Sequence, residues 1–235
     1  MDIAKRQSLL ALLALPAGCS LSHLPELPLL PLPSGWQPPA IRPPEIGQSW
    51  SYNKFNFHNS QLLDQVTERL VQIDNNSIRL QRQSTRSGNL PDEIHTTWGH
   101  VKQDPYWDIP QIYESPLPLW LPRLTLGAQS TTHTRYQSPE ASFQYSISAF
   151  SRVVSWEKVQ LPIGTFETVR IEKLLRLTHP DITKLELLRR DTLWFAPHIG
   201  RWVARDMQGQ YQMNQKRNGL GLEEHARWEL AQLGA

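Results

Sequence analysis

The chain has 235 residues, with 24 Lys or Arg against 22 Asp or Glu, and its formal net charge is +2. This length suits one compact domain. So small a charge argues against the clustered basic face that nucleic-acid binding needs, and we expect no nucleic-acid partner. The single cysteine, Cys19, excludes an internal disulfide, so the core alone must hold the domain together.

The first eighteen residues have the pattern of a bacterial secretion signal. Lys5 and Arg6 precede a short apolar run over 8–15, and small residues follow it. The run is too short to span a bilayer as a helix, which needs about 20 residues. A basic start, a short apolar centre and a small-residue end predict that residues 1–18 are a signal peptide.

Cys19 directly follows Ala17 and Gly18, and this segment resembles the lipobox of bacterial lipoproteins. The resemblance implies that the thiol of Cys19 is acylated and anchors the protein to a membrane. Pro16 departs from the family pattern, which usually has Leu there. Ser20, where inner-membrane lipoproteins of enteric bacteria have Asp, implies the periplasmic face of the outer membrane. The alternative is an ordinary secreted protein with a free thiol.

Residues 19–45 are predicted to be a proline-rich tether. Proline fixes φ and lacks an amide donor, which disfavours both helices and interior strands. An extended chain of about 3 Å per residue would place the domain up to roughly 75 Å from the bilayer. The leucines within 27–32 could instead dock on the domain or on the lipid surface. The prolines of this segment are Pro25, Pro28, Pro31, Pro33, Pro38, Pro39, Pro43 and Pro44.

Residues 46–235 are predicted to form a single β-rich domain. Trp50–Phe57 alternates aromatic and polar residues, as a strand with one buried face does. Asp74-Asn-Asn-Ser77 is typical of a tight turn between two strands. The stretch 104–122, with its prolines and tryptophans, is predicted to be an irregular loop.

The number of short strands and turn signals predicts an all-β, mainly antiparallel fold. Such a pattern suits either a sandwich or a curved, partly closed barrel. Ile46-Gly-Gln-Ser-Trp50 is similar to Leu126-Gly-Ala-Gln-Ser130. This similarity suggests two related halves, 46–103 and 124–231.

Three segments in this order resemble a known group of exported proteins. They are Ile46-Gly-Gln-Ser-Trp-Ser-Tyr52, Leu161-Pro-Ile-Gly-Thr-Phe-Glu-Thr-Val-Arg-Ile-Glu172, and Leu193–Arg205 together with Arg227-Trp-Glu-Leu230. They are similar to the motifs of the DUF3108-like (TapB-family) group of bacterial exported proteins, over roughly residues 45–231. The resemblance implies an exported β-structure without agreed catalytic residues, so no functional residue is carried over.

Pro197 and Gly200 are predicted to form a structural corner between two strands. Proline ends the first strand, and glycine permits the positive φ that a tight turn requires. His198 lies on the same corner, and we expect it to have no catalytic role.

Neither a metal site nor a cofactor is predicted. His95 and His100 are the closest pair of histidines within the domain, but five residues apart they face opposite sides of a strand. The sequence has no Gly-x-Ser-x-Gly nucleophile motif. Asp104 and Asp108 flank Trp107, and two carboxylates in an aromatic cleft would suit a glycan hydrolase.

Tryptophan is unusually frequent, with nine in the chain. Most are expected in the core, but Trp98, Trp107 and Trp120 are candidates for an aromatic groove. The leading hypothesis is a non-enzymatic envelope lipoprotein whose β-domain binds a lipid, glycan or protein of the envelope. The alternatives are an assembly or scaffold lipoprotein that docks only to proteins, and a glycan hydrolase that uses the loop carboxylates.

Overall fold

The computed structural model describes residues 25–139, 143–178, 181, 184–213 and 219–234, so the predicted signal peptide and Cys19 lie outside the described residues. The described residues form thirteen β-strands. No helix among them has the length and apolarity that crossing a membrane requires. The strands are β1 Leu29–Leu30, β2 Ser49–Asn56, β3 Leu62–Asp74, β4 Ser77–Ser84, β5 Gly88–Thr97, β6 His100–Asp104, β7 Gln111–Pro118, β8 Gln129–Gln137, β9 Tyr145–Leu161, β10 Gly164–Thr178, β11 Lys184–Ala196, β12 Arg201–Met213 and β13 Leu220–Gly234.

Twelve of these strands form one closed antiparallel barrel. Each strand from β2 to β12 pairs with the next one in the chain, and β13 returns to pair with β2, with Ala226 opposite Asn56. The two halves of the chain are joined where β7 pairs with β8, at Ile112 and Tyr113, and where β13 pairs with β2. The all-β antiparallel prediction is confirmed. Of the two architectures considered, the barrel is the observed one, and its closure is complete.

The predicted irregular loop over 104–122 is wrong in its middle, where Gln111–Pro118 forms β7. Two prolines fit in this strand because its pairing is sparse. β7 is joined to β8 only at Ile112 and Tyr113. A missing amide donor at Pro116 or Pro118 therefore costs little there. The parts that remain irregular are the short loop 105–110 and the segment 119–128.

The barrel strands divide evenly, with β2–β7 before residue 119 and β8–β13 after residue 128. Gly47 and Gly127 each lie two residues before the first strand of a half, and both have a positive φ, 96° and 79°. The two similar sequences therefore share a positive φ at their glycine. The two halves form one continuous sheet, and the duplication hypothesis stays a prediction.

The described part of the predicted tether, residues 25–45, lies against the barrel. Leu27 is buried. Strand β1 pairs antiparallel with β9, with Leu29 opposite Val159. The indole of Trp36 packs on Trp156 with ring centroids 4.8 Å apart. The segment is thus irregular and extended, as predicted, but it docks over most of its length. Leu27 docks on the domain, whereas Leu29 and Leu30 keep exposed side chains although their backbone pairs with β9.

A mature protein truncated to begin at Glu45 should keep its barrel but lose stability. All the strands that close the barrel begin at or after Ser49, so far-ultraviolet circular dichroism should retain its β signal. The buried side chain of Leu27 and the Trp36 contact are lost. Burial of one leucine contributes about 1.5–3 kcal/mol, so the melting temperature should fall by roughly 5–10 °C. Loss of cooperative melting would show instead that residues 25–44 are part of the folding unit.

Candidate functional site

The loop 105–110, between β6 and β7, turns into the barrel and fills one of its ends. Asp104 shapes the loop: its carboxylate accepts a hydrogen bond from the backbone N–H of Tyr106 at 2.9 Å and one from Nε1 of Trp107 at 3.1 Å. Such a local side-chain bond is the usual way in which aspartate starts a turn. Both aromatic side chains are buried as a result. The loop therefore fills this end of the barrel, and the residues that contact it form the candidate site.

Tyr106 is held between two arginines and two tryptophans. The guanidinium groups of Arg82 and Arg205 lie 4.3 and 4.6 Å from its ring centroid, as in cation–π contacts. The indoles of Trp202 and Trp228 meet the ring edge-on. Its hydroxyl donates to a buried carboxylate, that of Glu68 in β3. Burial, followed by that negative charge, raises the pKa of Tyr106 well above its usual value, so the phenol stays protonated and donates.

Glu68 belongs to a buried network of charges in the barrel interior. Arg201 donates to Glu68 at 2.7 Å and to Glu93 at 3.2 Å, and its side chain is fully buried. Arg82 donates to the same Glu68, and His95 contacts Glu93 at 2.7 Å. Burial raises the pKa of Glu93, but Arg201 and then His95 outweigh this effect and hold it below its usual range. The network therefore pairs its buried carboxylates with buried cations.

A second buried network holds the other side of the loop. Asp191 accepts from Nε of Arg189 at 2.6 Å and from Arg205, also at 2.6 Å. Arg189 in turn donates to the carbonyl oxygen of Tyr106 at 2.7 Å and lies 4.1 Å from the ring centroid of Trp107. The loop is thus fixed from both sides of the interior by charged side chains of β3, β4, β11 and β12.

Two cavities flank the loop. The β10-side cavity has a volume of about 220 Å³, and the β4-side cavity has about 320 Å³. Trp107 and Asp108 line both of them, so the loop forms their common wall. The β10-side cavity is also lined by Tyr136, Leu177, Lys184 and Glu223, and the β4-side cavity by Lys54, Arg82, Ser87 and Trp228.

Two carboxyl groups meet in the β10-side cavity. Glu223 of β13 lies within hydrogen-bonding reach of Asp108 of the loop, and both line the cavity. Burial, and then the adjacent carboxylate of Asp108, raise the pKa of Glu223 to about 7. Glu223 therefore holds a proton through most of the acidic range, and that proton allows the two groups to hydrogen-bond rather than repel each other.

Replacing Glu223 with Gln should change how stability depends on pH. The folded-state pKa of Glu223 lies above its ordinary value of 4.5, so the folded state binds more protons than the unfolded state between pH 4.5 and 7. Wild-type stability should therefore fall as pH rises through this window. Glutamine keeps the donor without a charge, so the fall should be smaller in Glu223→Gln. Melting temperatures from pH 5 to 8 check this, and parallel curves for the two proteins would contradict it.

The structure brings together only two of the three tryptophans predicted to form a groove. Trp98 and Trp120 pack edge-on with centroids 5.6 Å apart, and Trp120 stacks on Phe195 at 4.3 Å. Trp107 instead packs on Arg189, and no ring contact among the described residues joins it to the other two. Trp107 and Trp120 are both buried, but of the three only Trp107 lines the two cavities beside the loop.

The predicted corner is the turn between β11 and β12. The N–H of Gly200 donates to the carbonyl of Ala196 at 3.0 Å, and Gly200 has a φ of 77°. Pro197 lies inside this turn, and its carbonyl accepts from the N–H of Arg42 at 2.8 Å, which ties the N-terminal segment to the corner. His198 stacks on Phe166 at 6.4 Å.

The two loop carboxylates have different surroundings. Asp104 is engaged by Trp107 and by the hydroxyl of Tyr113 at 3.1 Å, while Asp108 lines the β10-side cavity with Glu223. Nor do the described residues bring together three or more His, Cys, Asp or Glu side chains that could hold a metal.

Sequence reasoning missed the interior charges, although a signal for them exists. Glu68 stands between Val66 and Leu70 in the inward row of β3, and Arg82 follows Ile78 and Leu80 in the inward row of β4. A charge in an apolar alternating row points into the core. Glu223 and Tyr106 carry no such local signal.

Comparisons with known proteins show a shared fold. No family model matches the chain, so the DUF3108-like resemblance stays a prediction, and no curated protein sequence matches it. A Bacteroides fragilis protein described as exported, with a YmcC-like fold, is 14% identical with a TM-score of 0.52, over 83% of this chain and 99% of that one. A Parabacteroides distasonis protein described as a lipoprotein is 12% identical with a TM-score of 0.52, over 85% and 100%. The chain therefore has the antiparallel, all-β architecture of the YmcC-like fold.

Proposed function

We propose that this protein is a non-enzymatic lipoprotein of the cell envelope that binds a glycan in the β10-side cavity. The signal pattern of residues 1–18 and the position of Cys19 support export and lipidation. The shared fold with proteins described as exported or as a lipoprotein agrees with this assignment. The periplasmic face of the outer membrane is the proposed location.

The observation that carries the glycan assignment is the lining of this cavity. Trp107 and Tyr136 supply aromatic surface, and Asp108, Glu223 and Lys184 supply polar groups that suit hydroxyls. Its volume of about 220 Å³ suits the end of a chain of sugars better than a whole lipid. The barrel interior beyond the loop is filled by aromatic and charged side chains, which disfavours an acyl chain as the ligand.

Binding is favoured over hydrolysis because of the distance between the two carboxyl groups. A glycosidase holds its two carboxyl groups about 5–10 Å apart, with the scissile bond between them. Asp108 and Glu223 lie within hydrogen-bonding reach of each other, which is closer than that separation. The raised pKa of Glu223 is what a general acid would have, so hydrolysis is the second candidate and an outcome of the test below.

The anchor is tested by Cys19→Ser in the native host. The wild-type protein should sediment with membranes and incorporate labelled palmitate, because the thiol carries the acyl chains. The variant should lose the label and leave the membrane fraction. Labelling that persists in the variant would overturn the anchor.

Ligand binding is tested by incubating the purified domain with size-fractionated envelope glycans and determining the masses of the retained molecules by mass spectrometry. We expect retained oligosaccharides of unchanged mass, and at least tenfold less retention by Lys184→Gln. Lys102→Gln, which removes a surface charge outside this cavity, is the matched control and should bind like wild type. Shortened sugars would indicate a hydrolase. Retention of protein partners alone would favour the scaffold alternative.

A further inference from the structure

The guanidinium of Arg82 has donors that the described protein does not use. Arg82 lies in the inward row of β4, and its side chain is only 3% exposed. Its Nε donates to Glu68 at 3.3 Å. Neither of its two Nη atoms has a hydrogen-bond partner among the residues that the structure describes. Because Arg82 lines a cavity, these donors are accessible to a ligand there.

These donors open on the β4-side cavity. Arg82 lines this cavity of about 320 Å³, and the face of its guanidinium rests on the ring of Tyr106 at 4.3 Å. The ring fixes the plane of the guanidinium and leaves its edge available. Lys54 lines the same cavity, with its ammonium 5.2 Å from the ring centroid of Trp228. Two cationic side chains are therefore positioned on aromatic surface at one cavity.

Two carboxylates nearby already accept hydrogen bonds from protein side chains. Asp64 accepts from Ser84 at 2.6 Å and from Thr85 at 3.3 Å. Glu68 accepts from Arg201 at 2.7 Å and from Tyr106. Asp64 and Glu68 are thus satisfied within the protein, while the Nη donors of Arg82 are not. Among these three side chains, the unmet hydrogen-bonding capacity is that of the cation.

We propose that the β4-side cavity binds an anionic group, a phosphate or carboxylate, carried by a saccharide. Arg82 provides the two-donor fork that matches either oxyanion, and Lys54 adds charge at the same cavity. The saccharide part of this proposal rests on the proposed function. Asp108 and Trp107 form the wall shared with the β10-side cavity, so one ligand could lie against both sides of the loop.

The test is isothermal titration calorimetry of the mature domain at low salt, with glucose 1-phosphate, glucuronate and glucose as probes. The two charged probes should bind at least tenfold more tightly than glucose, and their affinity should fall as salt is added. The stronger of the two charged probes identifies the oxyanion. Equal affinity for glucose and both charged probes would overturn the anionic site while leaving glycan binding intact.

Variants test whether binding depends on this cavity or only on the overall positive charge of the protein. Arg82→Lys keeps a cation beside Glu68 but removes the fork, and it should weaken binding of the charged probe at least fivefold. The same substitution at Arg79, on the outward face of β4, is the matched control and should leave binding unchanged. Lys54→Gln, on the rim, provides a variant that need not disturb the buried network and should weaken binding about threefold.

Wild-type affinity in both Arg82→Lys and Lys54→Gln would overturn the proposal. If the charged probes bind as expected but no envelope glycan is retained, the anionic site stands and the proposed function fails.

Discussion

Replacing Arg201 with Met should lower the free energy of unfolding by about 3–5 kcal/mol, the usual cost of removing one partner of a buried ion pair. Arg201 is fully buried and donates to both Glu68 and Glu93, so the substitution leaves two buried carboxylates short of their main cation. This is a large part of a typical total of about 5–15 kcal/mol. Thermal melting should show a fall of roughly 10 °C or more.

Two comparisons make this result specific. Arg152→Met, which removes an exposed pair with Glu172 at 3.5 Å, should change stability by no more than about 1 kcal/mol.

The effect of Arg201→Met should also depend on pH. The pKa of Glu93 is depressed in the folded protein, so its contribution is present at neutral pH and is lost as pH falls through that low value. In the variant the carboxyl of Glu93 can take up a proton, so the difference from wild type should shrink between pH 7 and pH 4. A small, pH-independent effect would show that the pairing contributes little.

Gly200→Val should also be strongly destabilising, at roughly 2–4 kcal/mol. Gly200 has a φ of 77°, a conformation that costs a β-branched residue about 1–2 kcal/mol. A Cβ there would also lie 2.6 Å from the carbonyl oxygen of Arg42, which is backbone and cannot rotate away. The N-terminal segment would have to shift. We expect a melting temperature lower by roughly 5–15 °C.

Gly88→Val is the matched control for the turn. Gly88 has nearly the same φ, 73°, but nothing lies within 4 Å of its would-be Cβ. Gly88→Val should therefore lower the free energy of unfolding by the conformational cost alone, about half of the loss expected for Gly200→Val. Equal losses at the two positions would mean that contact between the corner and residue 42 contributes nothing. In the protein truncated to begin at Glu45, the extra cost at Gly200 should disappear, because its cause has been removed.

Several features of this protein follow from local sequence. Alternation of apolar and polar residues in Trp50–Phe57 indicates a strand because side chains in an extended chain point to opposite faces. Asn75 and Asn76 connect β3 to β4 because they tolerate the backbone of a two-residue turn. Gly200 has the positive φ expected at the corner. Each of these depends on a few neighbouring residues, so each can be predicted from the sequence.

The tertiary structure decided the rest. Barrel closure depends on curvature summed over twelve strands, and no single segment encodes it. The pairing of Glu68 with Arg201 joins residues 133 positions apart, and the raised pKa of Glu223 exists only because the loop that carries Asp108 folds into the end of the barrel. Arg82 could be placed on an inward face from its sequence position alone. That its Nη donors open on a cavity required the positions of Tyr106 and Trp228, because burial and hydrogen bonding depend on every element that packs around a group.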